Sequence, residues 1–318
     1  MKLSRIYTTI ILMGLTISAW GQSAGTTGFE FLKAQYSARG AALANNMVAI
    51  QGDINAIFYN PAVLSAIQNS QWTINYTDHL LDFQAGQLVY GLKSNKLGTL
   101  AFGLLYFNYG DFQETDQFGD FTGRDFSATE FALATSSSNN LGEGFQYGLN
   151  VKFIYSSLDN FNASGLAFDG GIIYAPSGIS DFNIGISLSN LGFILSDYTP
   201  TADEKMPLYL RFGLSKRLEH LPLTLLASLN DITLKTESNS DILKRFSIGG
   251  EFDISTAVKL RLGYDNGVNQ SVKVTGERSF SGFSAGLGIH WKKLRLDYAY
   301  STYGDLGAQN RLGISGGF

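Results

Sequence analysis

From residue 71 onward, apolar and polar side chains alternate in a series of short segments. Period-two alternation is typical of a β-strand with one apolar and one polar face. It predicts fourteen strands, most of them close to the about 9 to 11 residues that a tilted strand needs to cross a bilayer. The predicted spans are 71–77, 83–91, 96–108, 124–136, 144–156, 163–175, 181–190, 206–216, 221–231, 241–254, 256–266, 280–291, 293–300 and 310–318.

A soluble β-sandwich and a transmembrane β-barrel both contain strands of this kind. Two patterns favour the barrel. Charged residues recur at the centres of predicted strands, where a barrel turns them into its lumen: Glu251, Asp253, Lys259 and Arg261. Aromatic residues that suit two interfacial girdles lie near strand ends: Trp72, Tyr76, Tyr90, Tyr106, Tyr155, Tyr174 and Trp291.

The lengths of the connections give a further reason to prefer the barrel. From the second predicted strand onward, short connections such as 92–95 alternate with longer ones such as 109–123. Outer-membrane barrels have short periplasmic turns and longer extracellular loops, whereas a sandwich has no reason for this regularity. We therefore predict an all-β fold, a transmembrane antiparallel β-barrel of about 14 strands over residues 71–318, with both ends in the periplasm.

Composition excludes several classes of function. The chain has no Cys, so disulfides and Cys-ligated metals are impossible. Its net charge of -4 and pI near 5.4 provide no basic surface for nucleic acid. The mean hydropathy of +0.02 fits a barrel, in which lipid-facing and lumen-facing residues average out. We expect no cofactor and no nucleic-acid partner.

Both ends of the chain predict export to the outer membrane. Lys2 and Arg5 precede an apolar run over 6–17, and small residues follow up to Gly21, which is the pattern of a signal peptide over residues 1–21. Phe318 ends the last predicted strand as an aromatic residue. We interpret it as the C-terminal insertion signal that the barrel-assembly machinery recognises. Outer-membrane lipid is then the surrounding partner.

Residues 22–70 do not follow the strand pattern. The step Asn60-Pro61 indicates a turn, because proline keeps the residue before it out of helical conformation. An exposed periplasmic extension is one interpretation of such a segment. Its many apolar residues favour the other, a hatch that packs inside the barrel, and they are Ile54, Ile57, Phe58, Val63, Leu64 and Ile67.

This segment resembles the N-terminal hatch of the PorV/PorQ family, outer-membrane components of the type IX secretion system that are related to FadL-type barrels. The resemblance lies in Phe31-Leu32, Ser37-Ala38-Arg39, the run 52–58 and Asn60-Pro61-Ala62. The stretch 108–119, continuing to 126–128, is most similar to the PorQ branch. The resemblance implies a fourteen-strand barrel with a hatch, and a hatch motif at Asp53, Asn55, Asn60, Pro61 and Ala62.

The resemblance also implies a function in protein secretion, with translocon subunits or secreted cargo as partners that the barrel binds and positions at the cell surface. The alternative is a FadL-like transporter, in which the hatch moves and a hydrophobic compound leaves through the wall. An enzyme is a weaker alternative. Two G-x-S-x-G patterns, around Ser284 and Ser315, lie in strand-like segments without the strand–turn–helix that a nucleophile elbow needs.

Other candidate sites are weak. The histidines His79, His220 and His290 are far apart and lack ligand spacing for a metal. The region 109–125 is rich in carboxylates, but their spacing does not match a calcium loop of the EF-hand type. A solvated surface is the simplest interpretation of this region. A docking surface for a partner protein, or for lipopolysaccharide through bridging divalent ions, is the functional one.

Overall fold

The computed structural model describes residues 27–94, 97–201, 204–234, 239–272 and 280–317. The predicted signal peptide and Phe318 lie outside these ranges. The strands are β1 (Gln71–Asp78), β2 (Gln84–Ser94), β3 (Gly98–Thr115), β4 (Phe121–Gly142), β5 (Phe145–Leu158), β6 (Phe161–Tyr174), β7 (Phe182–Ser196), β8 (Tyr209–Arg217), β9 (Leu223–Leu229), β10 (Phe246–Asp253), β11 (Val258–Asp265), β12 (Phe283–Trp291), β13 (Leu294–Thr302) and β14 (Ala308–Gly317).

The strands form one closed antiparallel barrel. Each strand pairs with its neighbours in sequence, and β1 pairs with β14 to close the sheet, with Gln71 opposite Gly317. The fourteen-strand barrel fold is therefore confirmed. Two short helices are α1 (Ala38–Ala42) and α2 (Asn266–Val272), and 3-10 turns cover Glu30–Lys33, Ile54–Phe58, Pro61–Ala66, Leu80–Asp82, Asn239–Arg245 and Gly304–Leu306. In the described part of the chain, no helix is both long and apolar enough to span a membrane.

Antiparallel order places alternate connections at opposite ends of the barrel. We call the end at which β1 leads into β2, β3 into β4 and so on to β13 into β14 the long-loop end. The opposite end, at which β2 leads into β3 and so on to β12 into β13, is the short-loop end. The long-loop end is the one that the sequence predicts to be extracellular.

Several strand boundaries were predicted wrongly. Strands β4 and β7 end at Gly142 and Ser196, about six residues beyond their predicted ends at 136 and 190. Strands β3 and β4 run to Thr115 and from Phe121, so most of the predicted loop 109–123 is strand. A cross-strand stack of Phe112 on Phe126, with ring centroids 5.4 Å apart, supports this extension. Strand β10 begins at Phe246 and not at residue 241, because adjacent apolar residues at 242 and 243 interrupt the alternation and the segment forms a 3-10 turn.

The two faces of the wall differ as the alternation predicts. Outward side chains are apolar and exposed, as for Leu149, which is 61% exposed, and aromatic residues such as Tyr76, Tyr106 and Trp291 lie among them. Inward side chains are buried, and they include charged residues such as Arg261, with no exposed surface, as well as apolar ones such as Leu105 and Ile154. Such a wall has lipid on its outside and protein in its lumen.

Candidate functional site: the hatch in the lumen

The segment 27–70, which we call the hatch, crosses the lumen from end to end. At the long-loop end Thr27 pairs with Lys205, whose carbonyl accepts the N–H of Gly28 at 3.0 Å. Near the short-loop end the hydroxyl of Ser65 donates to Oε1 of Gln146 at 2.7 Å. Strand β1 begins soon afterwards, at residue 71. The hatch therefore enters from the long-loop side and leaves into the first strand.

Asn60, Pro61 and Ala62 form a capped turn in the last part of the hatch, toward the short-loop end. Oδ1 of Asn60 accepts the N–H of Ala62 at 3.0 Å, and Pro61 occupies the first position of the 3-10 turn, where a missing N–H costs nothing. Nδ2 of Asn60 donates to the carbonyl of Val48 at 2.7 Å. The hydroxyl of Ser138 donates to the Ala62 carbonyl at 3.2 Å. The predicted turn therefore both shapes the hatch and ties it to the wall.

This turn packs against glycines of the wall. Gly148 of β5 and Gly171 of β6 are direct cross-strand partners, and both face the lumen. A Cβ atom at Gly148 would lie 2.5 Å from the Pro61 carbonyl oxygen and would overlap the peptide that follows. One at Gly171 would overlap the side chain of Asn60. Further lumen-facing glycines meet the hatch in the same way, at positions 91, 103, 185, 213, 249, 263 and 286.

Asp53 and Asn55 connect the hatch to the opposite wall. Oδ1 of Asp53 accepts both the main-chain N–H and the side-chain amide of Asn55 at 2.9 Å. Oδ2 of Asp53 accepts from Arg39 at 2.5 Å and from Arg295 at 3.3 Å. The amide oxygen of Asn55 accepts Nδ2 of Asn75 at 2.8 Å. Asp53 is thus the cap of the turn Ile54–Phe58 and a partner of two guanidinium groups.

These bonds belong to a buried group of ionised side chains, which we call the charged cluster. It consists of Arg39 and Asp53 of the hatch and Glu251, Arg261, Arg295 and Asp297 of the wall. Arg39 donates twice to Glu251, at 2.9 Å each. Arg261 bridges Glu251 at 2.7 Å and Asp297 at 2.6 Å. These six residues supply three positive and three negative groups. Lys259 also contacts Glu251, at 3.4 Å, and has its own partner in Asp253 at 2.5 Å, so the charges around the cluster are balanced.

Along β2 to β6 the lumen holds a mainly apolar contact, beside the buried ion pair of Lys152 and Asp169 at 2.8 Å. Buried apolar side chains of the hatch pack there against those of β2 to β6, and we call this contact the apolar seam. Its hatch members are Phe29, Phe31, Leu32, Tyr36, Ile54, Ile57, Phe58, Leu64 and Ile67. Its wall members are Ala85, Val89, Ala101, Leu105, Phe107, Ala132, Ala134, Ile154, Ala163 and Ala167, with Met206 from the β7–β8 connection. The seam spans the height of the barrel.

A cavity of about 590 Å³ lies at the long-loop end, above the hatch. Its lining mixes charged and apolar side chains, and Gln35 and Tyr209 form part of its wall. Lys33 and Asp231 also line it, with their charged groups 3.9 Å apart. Burial raises the pKa of Asp231, and the neighbouring Lys33 opposes that shift. A pocket of this size is large enough for a small organic molecule.

The structure places the predicted hatch-motif residues in the lumen at two separate contacts, with Asp53 and Asn55 against one wall and Asn60 to Ala62 against the other. Among the described residues, neither G-x-S-x-G serine lies in a strand–turn–helix. Ser284 and Ser315 lie inside β12 and β14, and the hydroxyl of Ser284 donates to that of Ser301 at 3.1 Å. Within the described ranges, no three His, Asp or Glu side chains are grouped so that they could hold a metal ion. Sequence reasoning missed Arg39, Arg295 and the lumen-facing glycines as hatch contacts. The inward positions of the alternating strands were the signal that could have identified Arg295 and the glycines, whereas Arg39 lies in a hatch helix without such a pattern.

No protein-family model and no curated protein matches the chain. Solved structures do match it. The toluene transporter TodX of P. putida gives a TM-score of 0.57 at 13% identity, with 89% of this chain and 98% of that chain covered. The chain shares the fold of this barrel. The toluene transporter TbuX of Ralstonia pickettii gives 0.58 at 13% identity, with 88% and 97% covered, and a Pseudomonas aeruginosa FadL homologue gives 0.53 at 14% identity, with 93% and 98% covered.

Proposed function

We propose that this protein is an outer-membrane barrel that passes small hydrophobic compounds along the apolar seam. The observation that carries the proposal is the continuity of the seam from Phe29, near the long-loop end, to Ile67, near the start of β1. Apolar solutes leave water for such a surface at a gain of roughly 25 cal/mol per Å² of area buried. The fold shared with two toluene transporters supports the same function.

Passage requires the hatch to shift relative to the wall. The side chains of the seam are buried against one another, and the main chain of the hatch touches glycines of the wall. Among the described residues, every strand also pairs with both of its neighbours. A compound therefore needs space that opens only when the residues around Ile57 and Leu64 move away from β2 to β6.

A reversible tether tests whether the hatch moves. Ser65→Cys and Gln146→Cys replace two side chains that are in contact at 2.7 Å, on the seam side of the lumen. The native chain contains no Cys, so a bifunctional methanethiosulfonate reagent would link only this pair. We expect the tether to abolish uptake of labelled toluene or a labelled fatty acid by cells that produce the variant, and dithiothreitol to restore it. Each single-Cys variant, treated alike, is the control and should keep its uptake.

A second candidate function is a component of type IX secretion. The residues that favour it are Asp53, Asn55, Asn60, Pro61 and Ala62, because the hatch motif of the PorV/PorQ resemblance is the part of the chain that seals this lumen. A sealed barrel suits a protein that anchors and positions others. In this case the tethered barrel should still support surface display of secreted cargo, and a deletion strain should lose that display. Unchanged hydrocarbon uptake in the tethered state, together with lost display on deletion, would replace the transport proposal with this one.

A further inference from the structure

The long-loop end carries a feature that neither proposed function explains. Strands β3 and β4 continue beyond their neighbours, because β2 stops pairing with β3 at Asn108 and β5 stops pairing with β4 at Ala128. Residues 109–127, which we call the ribbon, therefore form strand pairs only with each other, while the Ser127 carbonyl accepts the N–H of Asp159 at 3.0 Å at the base. Seven residues of β3 beyond Asn108 correspond to about 23 Å of strand at ~3.3 Å per residue. The base of the ribbon contacts Phe83, whose ring centroid lies 5.2 Å from that of Tyr109 and 6.3 Å from that of Phe112, and its tip extends past the ends of β2 and β5.

Specific bonds hold the ribbon upright, although a free two-stranded hairpin is only marginally stable in water. Arg124 donates to both carboxylate oxygens of Asp159, in the β5–β6 turn, at 2.8 and 2.7 Å. The same guanidinium donates to Glu114 across the ribbon at 3.1 and 3.0 Å. At the tip, Oδ1 of Asp116 accepts the N–H groups of Phe118 and Asp120 at 2.8 and 3.0 Å. These bonds fix the position of the ribbon relative to the barrel.

The surface of this fixed element is both aromatic and acidic. Phe118 is 81% exposed and Phe121 is 71% exposed, at the tip and at the start of β4. Arg124 is the only basic residue of the ribbon, against five carboxylates: Asp111, Glu114, Asp116, Asp120 and Asp125. Exposed aromatic side chains on a rigid support bind partners at low entropic cost. An excess of negative charge selects a positively charged partner.

We propose that the ribbon is a docking surface for a cationic protein that accepts Phe118 and Phe121 in apolar pockets. The charge argues against the other occupants of this end of the barrel. A second copy of the chain would bring another acidic ribbon, and like charges across an interface are costly. The phosphate-rich outer membrane surface is also anionic and would need bridging divalent cations. The inference does not depend on hydrophobic transport, because the ribbon lies outside the lumen.

Photo-crosslinking in living cells tests the proposal. Benzoylphenylalanine placed at Phe118 should give one dominant protein adduct on irradiation, and the crosslinked peptide of the partner should lie in a surface rich in Lys and Arg. The matched control is the same group at Ile179, which is 50% exposed but lies at the short-loop end. The barrel should fold in both variants, since both side chains are exposed; a heat-modifiable band in unboiled gels checks this.

Charge reversal supplies the decisive comparison. Asp111→Lys with Asp125→Lys changes two exposed carboxylates that take no part in the ion pairs of Arg124 or in the Asp116 turn. We expect the adduct at position 118 to fall by roughly tenfold or more, because like-charge contacts across an interface are strongly unfavourable. An adduct with lipopolysaccharide that disappears with a chelator would overturn the proposal. So would an adduct that is insensitive to charge reversal, or a yield no higher than that from position 179.

Discussion

Adding one methyl group to the wall at Gly148 should displace the hatch from its packed position. In Gly148→Ala the new Cβ would lie 2.5 Å from the Pro61 carbonyl oxygen and would overlap the adjacent peptide. A flexible side chain could move away, but here the obstacle is the main chain of a capped turn. Overpacking of a tight interior typically costs about 1 to 3 kcal/mol, and we expect the upper end of that range.

The matched control is Gly170→Ala in β6, next to the cross-strand partner of Gly148. Its new Cβ would face outward, with Cδ2 of Leu149 4.0 Å away as the nearest atom. Alanine also restricts the unfolded chain, so this variant should be unchanged or more stable by about 0.4 to 1 kcal/mol. The two substitutions are chemically identical, and only Gly148→Ala should lower the stability.

Denaturant unfolding in liposomes measures the difference, with tryptophan fluorescence as the signal. Limited trypsin digestion reports on the hatch, because cleavage after Arg39, whose side chain is 15% exposed, requires the hatch to leave the wall. Gly148→Ala should lower the unfolding midpoint and become sensitive at that bond. Equal midpoints and equal resistance in the two variants would show that the turn does not press on this part of the wall.

Three further predictions concern the faces of the barrel and the hatch. Arg261→Met should lower the unfolding free energy by roughly 3 to 5 kcal/mol, because it leaves buried carboxylates unpaired. Arg124→Met on the exposed ribbon should lower it by at most about 1 kcal/mol. Equal losses would contradict the burial of the charged cluster. Leu149→Arg should lower the unfolding free energy by roughly 2 to 4 kcal/mol, and Leu141→Arg, near a strand end, should lower it by about 0 to 1 kcal/mol. Refolding into liposomes measures both values. Asn60→Ala should cost about 1 kcal/mol or more for the lost cap, and trypsin resistance equal to that of the parent would contradict the role of the turn.

Most of the barrel could be predicted from the sequence because the relevant signal is local. The period-two pattern around Leu149 and Asn150 fixes which side chains face lipid, and fourteen such segments close a sheet. The ends of the strands were harder to predict from the sequence. Strand β10 starts at Phe246 rather than at 241, and β3 and β4 extend into the ribbon, since bonds such as Arg124 to Asp159 join residues far apart in the sequence.

The hatch was only partly predictable for the same reason. Asn60 and Pro61 signal a turn locally, and the apolar content of the segment indicates that it packs. The partners of the turn are set by three-dimensional position. Gly148 and Gly171 together accommodate the turn only because β5 and β6 pair in the register that places these two glycines opposite each other. Arg39 reaches Glu251 across 212 positions of sequence, which no spacing rule describes.

The arrangement of charges bears on whether such a hatch can move. Within the charged cluster, Arg39 and Asp53 pair with each other in the hatch, at 2.5 Å. In the wall, Arg261 contacts both Glu251 and Asp297, and Arg295 contacts Asp297, so those four groups also balance among themselves.

Separating the hatch from the wall would break the bonds from Arg39 to Glu251 and from Arg295 to Asp53, but within the charged cluster each side would keep a balanced set of charges. A buried charge without a partner would cost several kcal/mol more. The remaining costs are polar contacts such as Ser65 to Gln146 and Lys33 to Asp231, and the apolar area of the seam. A hydrophobic compound that fills the opened space would offset part of the apolar cost. A hydrophobic ligand would thus itself favour the displaced position of the hatch. Unbalanced charge pairs between hatch and wall would oppose that displacement.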